Sequence, residues 1–159
     1  MLDKFMKGLV DFIYRTGRAR KKFERDNPNE IVLAADASKG VITKKDQDIQ
    51  HGANWVTSQR AVILLTDKKI VCGKWIISLD EISAVQLIKY GSGQVLKIQT
   101  NNGIHYQFGM QTNPEWTNQQ ILPLTLEKGQ VKYSLFSIIV RLILIGYIIY
   151  FIYSRFISR

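Results

Sequence analysis

Cysteine and histidine are scarce in this chain of 159 residues, which contains one cysteine and two histidines. Cys72 cannot form an intrachain disulfide, and its place in an apolar, β-like run predicts a small buried hydrophobic residue. His51 and His105 stand in no metal-ligand spacing, and the sequence has no CxxC or HxxxH pattern. We therefore predict no zinc or iron site and no cofactor.

Patterns typical of catalysis and phosphate binding are also missing. No serine, histidine and aspartate constellation can be placed, and the adjacent Asp80 and Glu81, like Asp46 and Asp48, are typical of solvated loops. The segment 91–93, Gly-Ser-Gly, fits a hairpin turn between two strands and not a phosphate loop that leads into a helix. The sequence therefore predicts a protein that is not an enzyme.

Acidic residues are few at the two ends of the chain, so the net charge of +9 is unevenly distributed. Residues 1–25 carry eight basic and three acidic side chains, residues 26–132 carry eleven and ten, and residues 133–159 carry three and none. A nucleic-acid-binding fold would spread basic residues over a face of the folded domain, so no nucleic-acid partner is predicted. Asp3 and Asp11 interrupt any apolar signal sequence, and none is predicted.

Residues 2–22 have the period of an amphipathic helix, within an N-terminal segment 1–27 that the breaker cluster 27–29 closes. Its apolar positions are Leu2, Phe5, Met6, Leu9 and Ile13, and its basic positions include Lys4, Lys7, Arg15 and Arg18. Such a helix can pack on its own domain, lie on a membrane surface or dock into a partner protein. We favour the last two.

Residues 30–110 form short apolar runs separated by turn residues, which predicts a β-rich domain. The predicted strands are 30–35, 55–65, 69–72 with 74–78, 83–90, 94–100 and 104–110. The last two alternate apolar and polar residues around Asn101, Asn102 and Gly103, and Asn-Gly favours a tight hairpin in which both residues take positive φ. The polar segment 40–54 is predicted to be a loop or a short helix.

A helix is predicted after this sheet. Asn113 is its N-cap, Pro114 its first residue and Glu115 an acid in its first turn. It should end near Leu122, because Pro123 cannot continue the hydrogen-bond ladder. A polar connector, 127–132, follows.

The C-terminal region is apolar from Ser134 to Tyr153, where Arg141 is the single charged residue. Twenty residues at about 1.5 Å each match a hydrocarbon core of about 30 Å. Tyr133 stands at one end and Tyr150 and Tyr153 at the other, as interfacial aromatic residues do. The pattern predicts a transmembrane helix over 133–155 with a short tail, 156–159, and hence a single-pass, tail-anchored membrane protein. The alternative is a buried helix of a soluble core.

The orientation and partners of this helix follow from its flanking and internal charges. The basic N-terminal segment weakly favours a cytoplasmic main domain. Arg141 either extends toward the lipid headgroups or pairs with an acidic or carbonyl group on a partner membrane helix. The second interpretation predicts a membrane-protein partner.

The stretch from Trp55 to Phe108 resembles pleckstrin-homology-like domains of the GRAM and bacterial type. The resemblance is carried by a strand ending in Leu65 and Thr66, a basic turn 67–69, the step formed by Ile77, Leu79 and Ile82, and the final hairpin. It implies an α+β, mainly β, fold over 28–126. In that fold a curled antiparallel barrel is capped by a C-terminal helix, and Trp116 on that helix is buried.

The resemblance also implies an interaction function. Phosphoinositide-binding members carry several cations in the first loop, where this chain has Lys39, Lys44 and Lys45 offset by nearby aspartates. These lysines are candidate anion contacts or simply a solvated loop. We predict a non-enzymatic, membrane-tethered module that binds proteins as an accessory subunit of a membrane complex. The alternative is a module that binds or senses lipid at an anionic membrane surface.

Overall fold

The computed structural model describes residues 2–43, 58–91, 93–129 and 135–157. Its α-helices are α1 (Leu2–Tyr14), α2 (Thr16–Asp26), α3 (Pro114–Asn118) and α4 (Leu135–Ile152), and a π-helical segment, Tyr153–Ile157, follows α4. Its strands are β1 (Val32–Thr43), β2 (Gln59–Thr66), β3 (Lys69–Cys72), β4 (Trp75–Ser78), β5 (Ile82–Tyr90), β6 (Gly93–Thr100), β7 (His105–Gln111) and β8 (Thr125–Lys128). Lys44, Lys45, His51 and Tyr133 lie outside the described residues.

The described strands form one eight-stranded sheet in the order β4-β3-β2-β1-β7-β6-β5-β8. Neighbouring strands are antiparallel except β8, which runs parallel to β5. The fold is therefore α+β and mainly β, but the predicted antiparallel barrel is wrong. The sheet is open and mixed, because β4 and β8 stand at opposite edges and β8 runs parallel to β5. Only the last two residues of β8, 127 and 128, belong to the predicted connector.

The main core lies on one face of the sheet, where alternate residues of the strands point inward. Trp116 of α3 is fully buried there among Ile63, Leu87, Leu96 and Phe108. Cys72 is also fully buried in this core, as predicted.

The predicted β6–β7 hairpin is confirmed, but its turn differs from the expected one. The strands pair in register from Gly93 opposite Gln111 to Gln99 opposite His105. Only Gly103 in the turn takes positive φ, at 77°. Gly103 N donates to Thr100 O at 2.9 Å, and Thr100 N donates to Ile104 O at 3.0 Å. The loop is therefore one residue longer than a tight Asn-Gly turn.

The N-terminal segment is two helices and not one. Arg15 adopts a left-handed conformation, φ 53° and ψ 40°, between α1 and α2. A non-glycine residue in this region interrupts the helix and redirects the chain. The helix that begins at Pro114 likewise ends at Asn118, before the predicted Leu122, because Gln119 is already extended.

The predicted membrane span is wrong. Within the described residues, no helix has both the length and the apolar character needed to cross a bilayer. The α4 helix contains 18 residues, about 27 Å at the usual rise, against a hydrocarbon core of about 30 Å. It also contains Arg141, and at Tyr153 its hydrogen bonding changes to a π-helix. The single-pass, tail-anchored topology, the localisation derived from it and the integral membrane partner are therefore withdrawn.

Candidate interaction surface

The α1 helix turns its polar side toward the sheet. Lys7 Nζ lies 3.3 Å from Asp36 Oδ1 on β1 and 3.0 Å from Asp11 Oδ2 on its own helix. Val10 and Tyr14, one and two turns further along, face β1, β6 and β7 across a shallow groove. The side of α1 that carries Lys7 and Asp11 is therefore the docked side.

Asp36 is the buried acidic partner of Lys7 in the contact between α1 and β1. Its side chain is only 1% exposed, and its Oδ1 accepts hydrogen bonds from Lys7 Nζ and, at 2.9 Å, from Ala37 N. Burial raises the pKa of Asp36, and the charge of Lys7 acts in the opposite direction. Burial lowers the pKa of Lys7, but the hydrogen bond to Asp11 and the charge of Asp36 outweigh it and leave that pKa raised. Each group thus depends on the other to remain charged at this depth.

The α2 helix is held to the same domain by Arg20. This guanidinium donates to Val32 O at 2.7 Å, to Glu115 Oε1 at 3.0 Å and to Glu24 Oε1 at 3.2 Å. Glu115 Oε2 in turn accepts a hydrogen bond from Ala35 N at 3.0 Å. One arginine therefore joins α2, β1 and the first turn of α3.

The described residues of the apolar stripe of α1 face away from the domain. Phe12 is 80% exposed, Ile13 65% and Leu9 44%. An amphipathic helix on a globular domain normally buries its apolar stripe and exposes its charges. Here the docked side carries the charged pair Lys7 and Asp11 as well as Val10 and Tyr14. The described residues of the apolar stripe are exposed and do not contribute to the folding core.

Basic side chains continue this exposed surface along α2. Arg15, Arg18, Lys21 and Lys22 are exposed, and no ion pair within the described part of the chain involves them. Because Arg15 follows Ile13 by two residues, the apolar and basic groups adjoin at the bend between the helices. We call this the elbow surface: Leu9, Phe12 and Ile13 with Arg15, Arg18, Lys21 and Lys22.

A groove of about 400 Å³ runs beneath α1. Its lining is mainly apolar, from Val10, Tyr14, Val95 and Met110, with Lys39 among its polar members. Lys39 is half-buried on β1, so of the three lysines predicted as anion contacts, the described one stands beside α1.

The structure places the remaining predicted site residues on different parts of the molecule. Arg15 and Arg18 belong to the elbow surface, and Lys7 belongs to the docked side of α1. Tyr150 and Tyr153 are exposed at the end of α4 and in the π-helical segment that follows. The side chains of Leu2, Lys4, Phe5, Met6 and Arg141 lie outside the described residues.

Sequence reasoning missed the residues that orient the helices, Asp36, Arg20 and Glu115. Arg20 was indistinguishable from its basic neighbours, and Glu115 fitted the first turn of a helix. Asp36 had a signal, since an aspartate inside the apolar run from Ile31 to Ala37 is unusual in a strand and needs a partner once buried. The identity of that partner depends on a long-range contact.

Within the described residues, no group of three histidine, cysteine, aspartate or glutamate side chains is placed to hold a metal ion. No protein-family model matches the sequence, and no match was found among characterised proteins.

Proposed function

We propose that this chain is a non-enzymatic, pleckstrin-homology-like interaction module, whose elbow surface binds an acidic, apolar segment of a partner protein. The observation that carries the proposal is the orientation of α1. The side that carries Lys7 and Asp11 is occupied by contacts to the domain. The described apolar residues Leu9, Phe12 and Ile13 are exposed beside cations that form no ion pair within the described residues.

The order of strands and helices supports the proposed relation to pleckstrin-homology-like domains. Within the described residues, seven strands precede a helix whose tryptophan, Trp116, is buried in the core. The resemblance implies both the C-terminal helix and the burial of that tryptophan. The closed barrel that the resemblance also implies is not part of this proposal, because the sheet is open.

The attachment of both helices to one strand supports a protein ligand. Lys7 fixes α1 and Arg20 fixes α2 to the same strand, β1, so the two helices present one preformed surface. A preformed surface loses less conformational entropy on binding than a flexible one. Exposed aromatic and branched side chains supply apolar contact area, and the cations select an acidic partner and speed association.

A peptide-display selection on the immobilised full-length chain tests this function. The expected result is enrichment of peptides with apolar residues at helical spacing together with aspartate or glutamate. Synthetic versions should lose at least tenfold in affinity against Phe12→Asp or Arg18→Glu chains. Ile76→Asp and Lys68→Glu are the matched controls, because both residues are exposed on the β2–β4 part of the sheet.

Two outcomes would overturn the proposal. One is a set of selected peptides that bind the Phe12→Asp chain as well as the unmodified chain. The other is the absence of selected peptides combined with binding to phosphatidylserine vesicles that both elbow substitutions abolish. The second result would assign the elbow surface to anionic lipid, the alternative function.

A further inference from the structure

The last strand of the sheet is attached almost entirely by its backbone. β8 pairs with β5 in parallel, from Gln86 opposite Thr125 to Lys89 opposite Lys128. All four of its residues are exposed, including Leu126, whose exposed fraction is 56%. Since burial of apolar side chains contributes little here, the hydrogen bonds to β5 hold the strand.

The end of β8 nevertheless fits β5 specifically. Gly129 N donates to Lys89 O at 2.9 Å. A Cβ atom at this glycine would collide with the ring of Tyr90 and with Ile88. The edge of β5 therefore accepts an extended strand followed by a glycine, a sequence that every copy of this chain carries.

A short connection precedes β8. Leu122 is buried in the core, and its N donates to Gln119 Oε1 at 2.7 Å. Pro123 is exposed, and Thr125 already begins the strand. The chain between Leu122 and Thr125 spans about 10 Å when extended, so two copies could exchange β8 only with their β5 edges close together.

The chain beyond β8 supplies a reason for two copies to associate. It leads to α4, whose described large apolar side chains from Ile139 to Tyr153 are all exposed. Exchange of an identical element between two copies keeps the contacts that the element makes within one copy, so it forms a dimer at low cost. Contacts at the new interface then offset the entropy lost on association. Short hinges also favour exchange over closure within one copy.

We propose that β8 is an exchangeable strand, and that the β5 edge of one copy binds Thr125–Gly129 of a second copy. The exchanged pair places Thr125 of one copy opposite Gln86 of the other. Apolar contacts between the accompanying α4 helices stabilise the pair.

Paired cysteines distinguish exchange from closure within one copy. Gln86→Cys and Thr125→Cys are introduced into separate full-length chains, mixed in non-ionic detergent that shields α4, and oxidised. Native Cys72 remains, since it is fully buried. A disulfide-linked heterodimer that increases with protein concentration is expected from the mixture, and the double variant in one chain is expected to give linked dimers as well as internal bonds.

Four further variants identify the cause of disulfide linkage. Lys68→Cys, exposed in the β2–β3 turn, replaces Thr125→Cys to measure random collision. Gly129→Val in the Thr125→Cys chain should reduce the heterodimer at least fivefold, whereas Gly8→Val should not, because nothing lies within 4 Å of a Cβ at Gly8. A flexible Gly-Ser insertion after Pro123 should shift linkage toward internal bonds.

The proposal is overturned if the mixture gives no heterodimer while the double variant closes internally, because β8 then stays with its own sheet. Linkage through Lys68→Cys as efficient as through Thr125→Cys also overturns it, since association is then nonspecific. Absence of both internal and intermolecular bonds overturns the β5–β8 pairing itself.

Discussion

Removal of the Lys7 ammonium isolates the contact that orients α1. In Lys7→Met the aliphatic stem is retained, but the Asp36 carboxylate, 1% exposed, loses its counter-charge. At 3.3 Å and an effective dielectric constant of about 20, the attraction between the two charges is about 5 kcal/mol. Lys7 is 24% exposed and also pairs with Asp11, so solvent and competition reduce the net contribution. We expect a loss of about 2 kcal/mol in the free energy of unfolding.

The dependence of this loss on pH has a definite sign. The pKa of Asp36 is already raised by burial and rises further when Lys7 is removed. A carboxyl with a raised folded-state pKa binds protons more tightly in the folded state, so its ionisation costs stability as pH increases from the unfolded-state value toward the folded-state value. The defect of Lys7→Met should therefore shrink as pH falls through the pKa of Asp36. In an Asp36→Asn background, Lys7→Met should cost about 1 kcal/mol less and lose this pH dependence.

Urea unfolding followed by tryptophan fluorescence, at several pH values between 4 and 8, gives the full double-mutant cycle. Lys74→Met is the matched control, because Lys74 is an exposed lysine remote from α1 with no ion pair among the described residues. A defect that is equal in both backgrounds, or constant across this pH range, would refute the argument that Lys7 compensates a buried charge.

Three further predictions concern the core. Trp116→Ala should lower the free energy of unfolding by about 3 to 5 kcal/mol in urea titrations, because it removes the largest side chain that is fully buried among the described residues. Trp116→Phe should cost less than half as much, and equal losses for the two variants would contradict this prediction. Gly40→Ala should cost about 1 to 3 kcal/mol by the same measurement, because its Cβ would collide with Trp75 and Phe108, whereas Gly8→Ala should not destabilise the protein. The rate at which Cys72 reacts with a thiol reagent should be limited by the rate at which the protein unfolds locally or globally, because Cys72 is fully buried. Burial also raises the pKa of its thiol. A reaction rate unaffected by stabilising conditions would count against its burial.

The sequence by itself determined most of the local structure. Short apolar runs bounded by turn residues located strands β2 to β7 to within a few residues. In β6 and β7 the alternation of apolar and polar residues also indicated the pairing, since side-chain direction in a strand repeats every two residues. Asn113, Pro114 and Glu115 marked the start of α3, because capping depends on neighbouring residues: Asn113 Oδ1 accepts a hydrogen bond from Glu115 N at 3.1 Å. Both signals act over short distances along the chain.

Tertiary structure alone decided the architecture and the candidate surface. The segment at 125–128 has no strand pattern of its own, and only the free edge of β5 makes it a strand. The period of α1 identified an apolar stripe but not the side that docks, because that side was set by Asp36, 29 residues away. Likewise, Arg20 could be told apart from its basic neighbours only through Glu115, 95 residues away. Ion pairs between residues so far apart in sequence form only when the whole chain folds. Local residue preferences do not predict them.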